Sequence, residues 1–352
     1  RIIPDTYPDG DYRTAATGWA DAATIIPWNH YMAYGDVRIL EQQYASMKGW
    51  VDYMVSQSKD RGWLWNNGSH YGDWLFYSLS NDPGGQSAVT SNHLVAQCFF
   101  ANSADIVSRT AVLLDKPEEA DHYADIARKV RNAYMDEYVT PNGLISSDTQ
   151  TAYVLALQCN MLPESLRAQA VERLVENIKR YGNHITTGFL GTSILMGTLT
   201  ENGMEDIAYE LLFQRKNPSW LYSVDNGATT IWERWNSYMV DEGMGPKGMN
   251  SFNHYAYGCV CEWIWETCAG IASDPANPGF KHIIMKPIPD KRLGHIDAEY
   301  QSAAGLIKSA WKYEGDQWIW DFTIPEGATA SVTLPGETEA KEYTAGTYHI
   351  VK

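Results

Sequence analysis

The chain has 352 residues, 44% hydrophobic and 20% charged, a profile that excludes a disordered polymer and leaves room for one large domain and a small one. Its net charge of −16 lacks the positive footprint that nucleic acid requires, and no apolar run approaches the length of a membrane span. Neither a nucleic acid nor a membrane is therefore an expected partner. Aromatic usage is skewed, with 14 Trp and 22 Tyr against 8 Phe. Rings that pair an apolar body with a polar handle suit sugar binding, and equally fill large helical cores.

The chain opens on RIIPDTYPDG rather than Met, which reads like a loop in mid-protein. A helix is predicted over 19–34, with Pro27 near its first turns, and Gly35 closes it. Asp36 is placed to cap the next helix, in which Val37, Leu40, Tyr44, Met47, Val51 and Met54 repeat at steps of three and four. A Gly-, Asn- and Trp-rich loop follows over 59–90; a loop of that length in a compact domain usually carries function. Further helices are predicted over 91–114, from Pro117 to about 134, 149–161, 163–180, from 186–191 to about 199, 203–213 and 252–269. Strongly buried helices alternate with amphipathic ones, the pattern of an inner and an outer ring whose long loops gather at one end. An α/α toroid is the expected architecture, since no fixed sequence period supports a solenoid.

Composition changes at Asp274-Pro275-Ala276-Asn277-Pro278-Gly279. Beyond it, Ile307, Ser309, Trp311 and Tyr313 alternate along one strand, Glu314-Gly315-Asp316 turns the chain, and Trp318, Trp320, Phe322 and Ile324 alternate on the return. Pro325-Glu326-Gly327 and Leu334-Pro335-Gly336 read as further turns. The expected class is α+β multidomain: a helical domain over 1–272 and a small all-β sandwich over 273–352.

The chemistry concentrates in two stretches, ATTIWERWNSY and SFNHYAYG. They set Glu233 between Trp232 and Trp235, beside Arg234, with Asn253 and His254 one loop later. A carboxylate walled by indoles is open to pKa tuning for proton transfer, and indole, amide and imidazole together suit a sugar ring. On the residues alone, Glu233 is an acid, a base or a structural partner of Arg234, and His254 is a ligand or a core histidine. Asp21 and Asp73 each follow a Gly-rich or Trp-rich turn and are candidates for sugar hydroxyls, or for a helix first turn and an Asx-turn. Trp63, Trp65 and Trp74 are stacking candidates. The five Cys show no metal-ligand spacing and no disulfide pattern, and no nucleotide, haem or zinc motif is present, so no cofactor is expected. No compartment is indicated.

These segments resemble the α-L-rhamnosidases of glycoside hydrolase family 78 over almost the whole chain. The resemblance lies in GWADAATIIPWNHYMAYGD, EQQYASMKGWVDYM, GDW, SSDTQTAYVLAL, TTGFLGT, PSWLYSV, GATTIWERWNS and SFNHYAYG, followed by the β tail. It implies an (α/α)6 barrel, a β-sandwich and inverting hydrolysis of terminal α-L-rhamnose from a glycoside or polysaccharide. The Glu of the WERW motif, here Glu233, would be the general base, and the His of FNHY, here His254, a sugar-binding residue. Trp19, Asp21, Asp73, Trp74 and Trp232 carry over as binding residues. The family's general-acid segment, resembling DCPxRDERxGWTGD, is absent, and the predicted helices number nine where a full barrel has twelve. The chain is thus expected to be the C-terminal part of a longer enzyme, partnered by the missing N-terminal part, with little or no activity by itself. On pattern alone, another toroidal glycosidase acting on fucosides or unsaturated uronides, or a non-catalytic sugar-binding module, would also fit.

Overall fold

A computed structural model describes residues 16–77 and 88–352. The opening loop over 1–15 and the middle of the expected long loop, 78–87, lie outside the described residues. Among the described residues, packing groups 16–25 with 43–77 and 88–259 as one unit, and 26–42 with 260–352 as another.

The first unit is built from helices α1 (Ala22–Tyr34, its first turn only), α2 (Arg38–Ser58, from Gln43), α3 (Asn92–Leu113), α4 (Pro117–Tyr138), α5 (Gln150–Gln158), α6 (Glu164–Arg180), α7 (Phe189–Glu201), α8 (Glu205–Phe213) and α9 (Trp220–Asp225). From Leu40 on, the stripe read from the sequence is buried, with Tyr44 at 7% and Leu40, Met47, Val51 and Met54 at 0% exposure, while Val37, half-buried, precedes α2. Helix α3 packs on α4, α5 on both α6 and α7, and α7 on α8. Helices α3 and α5 start on side-chain caps: Ser91 Oγ accepts from Leu94 N–H and Thr149 Oγ1 from Ala152 N–H. Helix α9 escaped the periodicity because six residues hold too few turns to show one. Its signal is local: Ser219 Oγ accepts the Tyr222 N–H at 3.1 Å.

One predicted helix is revised. In 252–269, residues 252–255 lie outside any helix, with Phe252 and His254 hydrogen-bonded to Thr230 and Ile231, and only then come a 3₁₀ turn (Ala256–Cys259), a single α turn α10 (Val260–Trp263) and a π turn (Ile264–Cys268). The Pro27 expected near the start of α1 does lie inside it.

In the second unit, strands β3 (Ala272–Ser273), β4 (His282–Met285), β5 (His295–Ser302), β6 (Gly305–Glu314), β7 (Gln317–Val332) and β8 (Lys341–Val351) join in one sheet about the long strand β7. Strands β1 (Tyr238–Met239) and β2 (Gly243–Met244) form a separate small hairpin in the helical unit. The alternation predicted for β6 and β7 holds. Ile307, Ser309, Trp311, Trp318, Trp320, Phe322 and Ile324 are all buried, and Trp311 faces Trp320 across the ladder. The two-residue loop Gly315-Asp316 turns the chain as expected. Pro325-Glu326-Gly327 does not reverse it. It forms an irregularity within β7, where the register to β8 shifts between Ile324 and Thr329, a position that tolerates a residue without an N–H.

Ser309 ties this core together at 0% exposure. Its Oγ donates to the Ala269 carbonyl at 2.6 Å and accepts the Trp320 indole N–H at 2.9 Å. Ser309→Ala leaves a buried indole N–H without its acceptor, and a loss of about 2 kcal/mol is expected. Thermal melting checks it: a midpoint within error of the parent would contradict the assignment.

Candidate active site

Two chain segments meet antiparallel around Glu233. His254 N–H donates to the Ile231 carbonyl at 2.8 Å, Glu233 N–H to the Ser251 carbonyl at 2.9 Å, and Thr230 Oγ1 to the Phe252 carbonyl. Ser251 N–H returns a hydrogen bond to Glu233 Oε2 at 2.7 Å. The carboxylate is therefore held at one oxygen. Its Oε1 accepts no hydrogen bond among the described residues, and the side chain is half-buried.

The flanking indoles anchor the loop from two sides. Trp232 packs edge-on against Phe252, with ring centroids 5.3 Å apart. Trp235 lies flat on Tyr257 at 3.9 Å and donates its indole N–H to the Thr187 carbonyl at 2.9 Å. Both are buried and fix the backbone on each side of Glu233. Arg234 does not pair with it either. Its guanidinium turns to the Asn236 amide oxygen and the Met249 carbonyl, and among the described residues Glu233 has no ion-pair partner.

His254 is sandwiched between Phe189, at 5.1 Å, and Tyr255, at 5.3 Å and nearly parallel. Its Nδ1 accepts the Ala256 N–H at 3.2 Å, which places the proton of the neutral ring on Nε2. The half-buried imidazole thus offers a donor, suited to a hydroxyl oxygen.

Asp73 occupies the start of α7. Its carboxylate accepts the N–H groups of Gly188 at 2.7 Å, Leu190 at 2.9 Å and Gly191 at 2.9 Å, and the Thr151 hydroxyl. These amides begin a helix and have no intrahelical acceptors, so an anion belongs there. The TTGFLGT sequence follows from this contact. A Cβ on Gly188 would stand 2.3 Å from the Trp74 carbonyl oxygen and 2.5 Å from that of Asp73. Burial pushes the Asp73 carboxyl above its usual pKa, against the four donors that favour the anion.

Asp21 is likewise enclosed. It accepts the Trp50 indole N–H at 2.8 Å, the Ser103 hydroxyl at 2.6 Å and the Gly18 N–H at 2.8 Å, and burial raises its pKa against those bonds. Gly18 sits at φ +85°, and a Cβ there would stand 2.6 Å from Leu190 Cδ1. The turn before α1 is thereby seated on the residue next to Phe189. Trp19, half-buried, meets Tyr71 edge-on at 4.8 Å, and Tyr71 meets Trp74 at 5.7 Å. Phe189 N–H donates to the Trp74 carbonyl at 2.9 Å.

Ring contacts run from Trp19 through Tyr71 to Trp74 and from Phe189 to His254, a backbone hydrogen bond joins Phe189 to Trp74, and backbone pairing sets the Glu233 segment beside that of His254. Asp21 and Asp73, at 0% and 2% exposure, are enclosed, their carboxylates accepting three and four hydrogen bonds. Trp65 is interior, packed on Trp50, His70 and Phe100, and Trp63 lies under the Lys129 ammonium. Sequence reasoning missed Ser251, Tyr71 and Phe189. Phe189 and Ser251 both lay within quoted motifs, but nothing in the sequence marks Ser251 as the partner of Glu233.

His70 supports the same turn. Its Nδ1 accepts the Thr17 N–H at 3.3 Å and its Nε2 donates to the Asn67 carbonyl at 3.1 Å, while burial lowers its pKa to about 4. The unfolded ring, near about 6.5, takes up its proton first. Stability is therefore complete above that pH and falls as pH drops towards 4, by about 2 kcal/mol once partial wetting of the ring is allowed for. Melting temperatures at pH 7.5 and 5.0 check this. The difference is expected to shrink in His70→Gln, and an unchanged difference would contradict it.

Residues 2–268 match the model of the bacterial α-L-rhamnosidase six-hairpin glycosidase domain, and residues 270–348 that of the bacterial α-L-rhamnosidase C-terminal domain. The chain belongs to the bacterial α-L-rhamnosidase six-hairpin family. The expected helical toroid followed by a β domain is thus the fold of the family. An α-L-rhamnosidase of Formosa agariphila is 39% identical over 95% of this chain and 35% of its own length, and one of Streptomyces avermitilis 37% over 96% and 32%. The crystal structure of the Streptomyces avermitilis α-L-rhamnosidase complexed with L-rhamnose matches at a TM-score of 0.87, with 35% identity over 96% of this chain and 33% of that one. The native Aspergillus terreus enzyme matches at 0.91, with 31% identity over 99% and 41%. The chain spans about a third of the length of the curated relatives it matches.

Proposed function

We propose that the protein containing this chain hydrolyses terminal α-L-rhamnose from glycosides or polysaccharides with inversion at the anomeric carbon. Glu233 is the general base. It removes a proton from a water as that water attacks the sugar, while a second carboxyl group protonates the leaving oxygen. The observation that carries this role is the asymmetry of the Glu233 carboxylate: Oε2 fixed by the Ser251 N–H, Oε1 with no hydrogen bond.

His254 Nε2–H binds a rhamnose hydroxyl, and the rings of Trp19 and Trp74 supply an apolar wall. Asp21, Asp73 and Trp232 act behind that surface. The two aspartates are too enclosed to reach a substrate in this conformation and position Trp19 and Trp74 instead. The same enclosure removes them as the general acid, because each would have to leave three or more donors to reach a glycosidic oxygen. We place the acid outside the residues named here, in the remainder of a protein about three times longer. The catalytic module extends to about residue 272, with the β domain over 273–352.

Proton NMR of the full-length protein acting on an aryl α-L-rhamnoside tests the reaction. β-L-Rhamnose is expected as the first-formed anomer. The α anomer formed first would overturn inversion, and no hydrolysis of any rhamnoside would overturn the function.

A further inference from the structure

One buried side chain touches neighbours of Glu233, His254 and Trp74 alike. Tyr257, 2% exposed, lies flat on Trp235 at 3.9 Å, two residues beyond Glu233. It also stands edge-on to Phe189 at 5.4 Å, the ring that supports His254. Its hydroxyl donates to the Leu75 carbonyl at 2.7 Å, a contact across 182 positions that reaches the residue after Trp74. Burial pushes this hydroxyl well above its usual pKa, so it stays a donor.

The residue it holds is strained. Leu75 sits at φ +58°, the left-handed region that side chains other than glycine resist. Among the described residues, Asp115, Asp148, Asn160 and Asn183 share a positive φ and are of the types that tolerate it. Trp63 and Phe280 are the other bulky cases, and neither adjoins a residue assigned to the sugar. A glycine would take this φ freely, whereas a leucine keeps it only where its surroundings fix it. The neighbouring bonds are longer than that of the Tyr257 hydroxyl: Phe76 N–H reaches the Asp73 carbonyl at 3.3 Å, and Tyr77 N–H the Thr186 carbonyl at 3.0 Å. The φ of Leu75 sets the angle at which the Trp74 peptide meets it, so relaxation to a negative φ would swing Trp74 relative to Phe76.

We propose that Tyr257 is a positioning residue of the rhamnose site: its hydroxyl holds Leu75 in the left-handed conformation and so fixes the Trp74 ring against the bound sugar. This rests on the rhamnosidase reading of the site. The ring of Tyr257, rather than its hydroxyl, backs the loop of Glu233. Loss of the hydroxyl alone is therefore felt in sugar binding and not in the chemical step.

The test uses the full-length protein and 4-nitrophenyl α-L-rhamnoside. Tyr257→Phe keeps the ring on Trp235 and Phe189 and removes only the hydroxyl. KM is expected to rise about tenfold, the size of one lost hydrogen bond, with kcat within about twofold of the parent. Leu75→Gly removes the strain instead, and by itself is expected to leave KM within about twofold of the parent. Combined with Tyr257→Phe, it is expected to bring KM back to within about threefold, because glycine keeps the turn unaided. A tyrosine that merely fills the core would not be rescued by a glycine 182 positions away. An unchanged KM in Tyr257→Phe, a loss carried by kcat, or a double variant no better than Tyr257→Phe would overturn the proposal. If Tyr257→Phe does not fold, the double variant decides: a KM near the parent's upholds the joint, and a protein that again does not fold overturns it. A parent that cleaves no rhamnoside would overturn the rhamnosidase reading itself, and this one with it.

Discussion

Glu233→Gln in the full-length protein is expected to lower kcat about 10³-fold, the usual contribution of a positioned base, and to leave rhamnose binding within a few-fold of the parent. The substitution is nearly isosteric. Gln can still accept the Ser251 N–H that now reaches Oε2 at 2.7 Å, so the backbone pairing of 230–233 with 251–254 has no reason to open. What is lost is the basicity of the second oxygen. The packing of Trp232 on Phe252 and of Trp235 on Tyr257 does not involve the carboxylate and holds the loop in place. Stopped turnover with retained binding separates a base from a scaffold residue, because loss of a scaffold would weaken both. A non-catalytic sugar-binding module would show no turnover to lose. Full turnover in the variant would remove Glu233 from the mechanism.

Asp73→Asn is expected to be the most destabilising conservative change in the site, costing about 3 kcal/mol and lowering the melting midpoint by roughly 6–10 °C. Three helix-start amides and the Thr151 hydroxyl all point at one carboxylate. An Asn side chain has a single acceptor oxygen, and its NH₂ group would confront donors. The partner change, Gly188→Ala, attacks the same junction from the other side. Its methyl would meet two backbone carbonyl oxygens, and neither can rotate away as a side chain would. The two variants should therefore melt early together. Activity is expected to fall with them, because Phe189 hangs on the Trp74 carbonyl and in turn supports the His254 ring. If either protein melted within about 1 °C of the parent, the Asp73 cradle would not be the structural joint described.

Local patterns in the sequence are legible, and contacts between distant segments are not. Helical periodicity revealed α2, because one stripe of large apolar side chains runs its full length, and strict alternation revealed β6 and β7 for the same reason. Both are local repeats written in successive residues. Helix α9 was hidden because six residues are too short to repeat, and the helix expected over 252–269 was overridden at its start by pairing with 230–233, a contact between segments about twenty residues apart. The site shows the same division. The motifs brought Glu233, His254, Trp19 and Trp74 forward, and hydrogen bonds and ring contacts connect the segments that carry them. Whether a carboxylate faces a ligand or a helix terminus depends on which amides arrive from distant segments, however. Asp73 and Asp21 share the sequence dress of binding residues, yet partners 115 and 82 positions away enclose them. Glu233 differs in having only one such partner.

The most direct measurement removes the Glu233 side chain and supplies an external anion. Glu233→Gly in the full-length protein, given an activated aryl α-L-rhamnoside and sodium azide, is expected to be almost inactive without azide and to form β-L-rhamnosyl azide with it. The azide would occupy the space of the base and its water, and would attack from the face opposite the leaving group. Undiminished hydrolysis by the variant without azide, or an azide product of α configuration, would contradict the assignment of Glu233 as the base of an inverting enzyme.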